Sequence, residues 1–321
     1  MLNRFTRMKL SNVVKSSPLL LGFGLLSFSL HATDSKLSWP ERCQLKGEQF
    51  QSSPQQFVSS DGLLSEVDFM TNFGPRHTGN KAHQEFINYI ECWMSKIGLE
   101  GIARDTVQIK RHNTLSRGGP ESGPTDHLYG FLPGESEKTI ILGVHSDGQN
   151  SIEENGVPVL MEIASYLAKQ KTRRYTYAVV FPTGHMAKIA GGMEAISWSK
   201  LHRPILKDVL IAVAPEHLGA VRKLYPVPYF ITARGSLKGK AKSLIRELDI
   251  PGMNVYSLGI GSGLAWRVGG RIPTLAGIAT PTYLLNPAIG MEVIDQQHLW
   301  KQSNFFLEMV KHMETMDPKD F

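Results

Sequence analysis

The stretch from Thr139 to Leu167, TIILGVHSDGQNSIEENGVPVLMEIASYL, constrains the fold more than any other part of the chain. Its opening run, Ile140-Ile141-Leu142-Gly143-Val144, is apolar throughout rather than alternating, so the strand it forms has to be covered on both faces. Its far end sets Val157, Leu160, Met161, Ala164 and Leu167 at helical spacing, one apolar stripe for packing on that sheet. A buried strand feeding an amphipathic helix is the building unit of an α/β sheet, and such sheets carry their sites just beyond strand ends. The turn between the two holds His145, Asp147, Glu153 and Glu154 among Gly148, Asn150, Asn155 and Gly156. One imidazole and three carboxylates at a strand end read as a metal-binding edge, with zinc the expected ion.

The same alternation extends in both directions. Helical patterns at Leu63–Met70 and His83–Ile97, the second stopped by Gly98, flank the turn-rich segment Phe73–Gly79. Strands are expected at Thr106–Arg111, His127–Phe131 and Thr139–Val144, with the Gly/Pro-rich Gly118–Pro124 as a hairpin excursion between the first two. Further on, strand patterns at Tyr175–Phe181, Val209–Ala214, Tyr229–Thr232, Val255–Leu258 and Pro273–Ile278 alternate with helical ones at Lys188–Leu201 and Leu237–Leu248. A long amphipathic helix from Glu292 to about Glu314 closes the chain. With no repeat and no linker, the pattern predicts a single three-layer α/β domain over residues 61–321. Its mixed, mostly parallel twisted sheet of about eight strands has helices on both faces. Residues 33–60, polar and rich in Gln, Ser and Pro, are expected to form an extended lead-in.

Arg4, Arg7, Lys9 and Lys15 precede an apolar segment from Pro18 to Leu30 and then His31-Ala32-Thr33-Asp34. This is the layout of a secretory signal over residues 1–32, too short in its apolar run for a membrane span, and it predicts a secreted or periplasmic protein. The leader carries four basic side chains and no acidic one, so removing it brings the formal charge from +6 to about +2. A nucleic-acid partner loses its electrostatic support with it, and no stable membrane span remains. Cys43 and Cys92 are the two cysteines; export permits them to pair, while spacing alone leaves a bridge and two separate thiols equally open.

Two other strand ends offer metal-binding or proton-moving groups: His185 after the strand ending at Phe181, and Glu216-His217 after the one ending at Ala214. A hydrolytic zinc site needs three or four such ligands from several strand ends, together with a base. Rival motifs are thin. Ser197-Trp198-Ser199-Lys200 satisfies S-x-x-K late in a helical run and without its companion motifs, and Gly259–Gly263 lacks the spacing of a nucleotide fingerprint.

Several segments together are similar to a known family. Gly74-Pro75-Arg76-His77-Thr78-Gly79, Leu132-Pro133-Gly134, Val144-His145-Ser146-Asp147, Glu154-Asn155-Gly156, Gly184-His185-Met186, Pro215-Glu216-His217-Leu218-Gly219 and Gly270-Arg271-Ile272-Pro273-Thr274 occur in that order over roughly residues 62–315. In order and spacing they resemble the secreted zinc aminopeptidases that use two co-catalytic metals, relatives of bacterial leucyl aminopeptidase and glutamate carboxypeptidase. The resemblance implies that His145 is a metal ligand, that Asp147 orients it, that Glu154 bridges the two metals and that Glu216 ligates one of them. An alternative alignment puts Ile152 in the bridging place and leaves Glu153 and Glu154 incidental.

The pattern is also broken in two places. Where the family has a Glu-Glu pair, base then ligand, this chain has His185-Met186, and methionine can neither act as a base nor ligate a hard or borderline metal well. Where the family's last strand supplies a histidine, Pro281-Thr282-Tyr283-Leu284-Leu285 has none. One zinc is therefore expected rather than two, held by His145, Glu154 and Glu216. His185 serves as fourth ligand or as base, and Glu153 is the other candidate base. Tyr283 and Trp266 are candidates to line a pocket for a peptide or amide substrate, although Trp266 reads equally well as a packed core indole. The competing reading is a pseudoenzyme, the same fold kept as a peptide- or partner-binding module.

Overall fold

Helices and strands alternate almost as the hydrophobic pattern requires. The computed structural model describes residues 37–112, 119–120, 122–223, 225–257 and 261–321, so the expected signal over residues 1–32 lies outside the described residues. Three helices come first: α1 (Trp39–Ser52), α2 (Ser60–Thr71) and α3 (Lys81–Lys96). Strands β1 (Glu100–His112), β2 (Gly123–Leu132) and β3 (Ser136–Gly143) lead into α4 (Gly156–Ala168). Then follow β4 (Tyr175–Phe181), β5 (Ala187–Ile189), α5 (Glu194–Leu201), β6 (Val209–Pro215) and the small hairpin β7 (Val221–Arg222) and β8 (Tyr225–Pro226). The chain ends with β9 (Tyr229–Thr232), α6 (Gly235–Glu247), β10 (Met253–Tyr256), α7 (Ser262–Gly269), β11 (Thr274–Ala279) and α8 (Gln296–Met313).

Among the described residues nine strands form one mixed sheet in the order β10-β9-β11-β6-β3-β4-β2-β1-β5, one strand more than expected because the short β5 extends the edge. Its centre, β11-β6-β3-β4, is parallel; β2, β1 and β5 continue it antiparallel on one side, and on the other β9 joins β11 antiparallel and carries β10 parallel at the edge. Ile140, Ile141 and Leu142 of β3 are fully buried between helical layers, as an uninterrupted apolar run demands. Helix entries follow local chemistry: Ser59, Asn80 and Asp295 each accept a main-chain N–H from the first turn of α2, α3 and α8. No helix among the described residues is long and apolar enough to cross a membrane.

Two expectations are corrected. The supposed extended lead-in at 33–60 contains α1, whose few apolar residues, Trp39, Cys43, Leu45 and Phe50, are interleaved with buried Arg42 and Lys46 and so gave no clear amphipathic signal. It is held by other means: a Cys43–Cys92 disulfide to α3 and a buried charge cluster. Lys46 Nζ lies 2.5 Å from Glu162 and 3.0 Å from Glu66, and Arg42 reaches Glu66 at 2.5 Å. Tyr89 donates its hydroxyl to Glu66 at 2.7 Å. Second, the helix expected from Lys188 to Leu201 begins only at Glu194. Gly191 and Gly192, at φ 89° and 141°, break the chain between β5 and α5.

Candidate metal centre

The site forms where β3, β4 and β6 end side by side. Beyond β3, His145 is fully buried and donates from Nδ1 to the carbonyl of Asp147 at 2.8 Å. Its pKa falls to about 4, through burial first and the neighbouring His185 second. With the proton fixed on Nδ1, Nε2 presents a bare lone pair, and that atom has no hydrogen-bond partner.

Asp147 does not orient His145 through its carboxylate, as expected, but through its main-chain carbonyl. The carboxylate instead gathers the loop after β4: Oδ1 accepts from Gly184 and His185 N–H at 3.1 and 3.2 Å, Oδ2 from Met186 N–H at 2.9 Å and from the Thr78 hydroxyl. Burial works to raise its pKa, but the imidazoles of His83, His145 and His185 and the Thr78 hydroxyl hold it below the ordinary value.

Beyond β6, Glu216 is buried with Oε1 3.9 Å from His145 Nε2, and it accepts the Ser262 N–H at the start of α7 at 2.7 Å. Burial and then the charge of Glu194 push its pKa up to about 7. Next to it His217 adopts a left-handed backbone, φ 55°, and donates from Nδ1 to the carbonyl of Ala279 at 2.5 Å. Its buried Nε2 is likewise without a partner, and burial lowers its pKa to about 3. Ligand atoms of His145, Glu216 and His217 lie within 4.8 Å of one another.

A second group shares His145. The ring of His185 stacks on that of His145, centroids 3.9 Å apart, and its Nδ1 pairs with the carboxylate of Glu194. Burial opposes a charge on His185, but Glu194 overrides it and raises the pKa. Glu194 opens α5 at φ 37°, so the second acid–imidazole contact also rests on a left-handed non-glycine residue. His145, His185 and Glu194 likewise offer ligand atoms within 4.8 Å of one another.

Other expected residues lie elsewhere. Glu154 belongs to neither group; its carboxylate pairs with Arg76 Nε, a fully buried guanidinium that needs a counter-charge and also donates to the carbonyls of Met70, Gly74 and Asn150. Glu153 accepts Gln149 N–H at 2.9 Å through Oε2, its Oε1 has no partner, and burial lifts its pKa to about 8. Trp266 is not a pocket wall: fully buried, it donates to the Gly143 carbonyl at 2.8 Å across a space that a Cβ on Gly143 would fill, 2.7 Å from Cζ2. Tyr283 gives its hydroxyl to the Val221 carbonyl at 2.6 Å, tying a loop to β7.

Sequence reasoning noted His217 as a strand-end histidine but left it out of the ligand set; in an extended strand the residue after a ligand turns to the opposite face. The left-handed turn at 217 cancels that alternation. Glu194 carried no usable signal, lying inside a stretch read as helix.

A donor set of two imidazole nitrogens and a carboxylate suits zinc. The residues fit such an ion because two bare, buried lone pairs with tautomers fixed from behind have no donor to face.

The architecture is that of the zinc-exopeptidase-like α/β proteins. Among solved structures the chain is similar to a Zn-dependent exopeptidase from Parabacteroides distasonis, at 15% identity and TM-score 0.65, covering 80% of this chain and 99% of that one. It is also similar to the glutaminyl cyclase of Porphyromonas gingivalis, at 16% identity and TM-score 0.65 with 80% and 99% coverage. A leucine aminopeptidase precursor from Bacteroides thetaiotaomicron matches at 15% identity and TM-score 0.60, with 80% and 98% coverage. At such identities the likeness is one of fold. No protein-family model matches the chain, and no curated protein matches it by sequence.

Proposed function

We propose that this chain is an exported, zinc-dependent hydrolase of the aminopeptidase type, acting on peptide or amide bonds with one metal rather than two. The observation that carries this reading is the pair of unpartnered Nε2 atoms, on His145 and His217, converging beside Glu216. These three residues would hold the ion, which when bound supplies a polarising charge for a carbonyl and an acidified water. The chain's own groups manage protons and position. Glu194 holds a proton on His185 Nδ1, which leaves Nε2 of that ring as the exchanging atom. Glu153, with Oε1 uncommitted and its pKa near 8, is the second proton carrier at neutral pH. Asp147 fixes the loop that carries His185.

A second reading, a peptide-binding pseudoenzyme, is favoured by Met186, which stands in place of a carboxylate and is buried with its sulfur 3.7 Å from Gln149 Nε2. Turnover separates the two. The zinc-loaded mature chain is offered aminoacyl anilides, unblocked peptides and, because glutaminyl cyclases share the fold, peptides with N-terminal glutamine. Hydrolysis that is lost in His145→Ala and on chelation supports the hydrolase, cyclisation of the glutaminyl peptide with release of ammonia contradicts it, and a zinc-loaded chain that turns over none of them is a binding module.

A further inference from the structure

We propose that the open edge of the sheet at β10 is a docking site for an extended acidic peptide segment, added to the sheet as a further strand beneath helix α6. β10 pairs in parallel with β9 and has no second neighbour among the described strands. Tyr229 and Ala233 donate to the carbonyls of Gly252 and Tyr256. Even-numbered residues therefore turn their main-chain groups inward, and Met253 and Val255 turn theirs to the open edge. Natural edges are blunted by charges or proline on the strand itself, yet Met253-Asn254-Val255-Tyr256 carries neither.

Charge sits instead on the helix above. Between that strand and α6 lies a groove of about 360 Å³, lined by Lys242, Ile245 and Arg246 from the helix and by Met253–Tyr256 from the strand. Lys238, Lys242 and Arg246 are spaced four apart, so they form one stripe along the helix. Lys242 and Arg246 are exposed, and among the described residues no ion pair or side-chain hydrogen bond engages either of them; Lys238 reaches the Ser257 hydroxyl, at 3.3 Å. From 234 to 247 the chain has five cations and one carboxylate, Glu247, which bonds to Ser243. Like charges at this spacing destabilise a helix, a cost that a ligand of opposite charge removes.

The lengths match. Eight residues of helix span about 12 Å, and four residues of strand about 13 Å. A segment lying on β10 would hydrogen-bond to Met253 and Val255 and, because strand side chains alternate, would point every second residue at the cations. The occupant defined by this geometry is an extended stretch with Asp or Glu at alternate positions. A second copy of the chain pairing edge to edge would set like stripes against each other, which disfavours self-association.

The test is fluorescence anisotropy on the mature chain with a labelled peptide of alternating Glu and Val. A control of the same sequence is N-methylated on alternate amides, and a second control has Gln in place of Glu. Saturable binding at physiological salt, weakened about tenfold or more by each control and by the exposed-surface double variant K242E/R246E, is expected. Restoration of binding to K242E/R246E by a Lys-for-Glu peptide would fix the register of charge. Absent binding, or binding equally tight to the N-methylated peptide or to a single-stranded oligonucleotide, would overturn the proposal by leaving a basic surface with no strand addition.

Discussion

Gly261 stands so close to Glu216 that a Cβ at position 261 would lie 2.2 Å from Oε2. Its φ of 63° also places it where a side chain strains the backbone. The glycine thereby lets the start of α7 lie against the acid and deliver the Ser262 N–H to it. Gly261→Ala should leave secondary structure intact and displace the carboxylate. Zinc affinity, measured by competition with a chromophoric chelator, is expected to weaken by about 10–100-fold.

Glu154 separates a structural carboxylate from a ligand. Removing its charge with Glu154→Gln leaves Arg76 buried without a counter-ion, and stability in urea is expected to fall by about 3–5 kcal/mol. The amount of zinc bound by the folded variant should not change. Loss of zinc with stability unaffected would return Glu154 to the metal.

The disulfide makes a third prediction. Cys43–Cys92 closes a loop with a sequence separation of 49, for which chain entropy gives roughly 4 kcal/mol. Cys43→Ser, or reduction of the wild type, should lower the urea midpoint accordingly and expose α1 to proteolysis first.

Acid should destabilise the protein through two histidines outside the ligand set. His83 and His127 are buried, each accepts a main-chain N–H at Nδ1, and burial lowers each pKa to about 4. The unfolded chain takes up these protons first, so their contribution is complete above pH 6.5 and is lost as the pH falls toward 4. Each accounts for up to roughly 3 kcal/mol. Urea midpoints measured between pH 7.5 and 4.5 should fall across that window, and His127→Gln should flatten part of the decline.

How much was readable beforehand follows from what each element depends on. β3, α4 and the alternation of strands with helices were legible because a strand buried on both faces and an apolar stripe on a helix are written in consecutive residues. That His145 and Glu216 come together was legible because they follow neighbouring strand ends. α1 was not, since a disulfide and buried ion pairs across 116 positions, as between Lys46 and Glu162, leave no periodic trace. His217 and Glu194 went unread as members of these clusters for a related reason: each depends on a left-handed backbone that only the surrounding fold imposes. Glu154 was placed at the metal by its position in a motif, whereas its partner Arg76 lies 78 positions away.

Zinc stoichiometry tests the central claim most directly. The purified chain, stripped by chelation and reloaded, is analysed by inductively coupled plasma mass spectrometry beside His145→Ala and His217→Ala, with circular dichroism confirming that all three are folded. One zinc per wild-type chain, and none retained by either variant, is the expected result. A folded wild-type chain that takes up no zinc, or a His217→Ala variant that keeps its full complement, would contradict it.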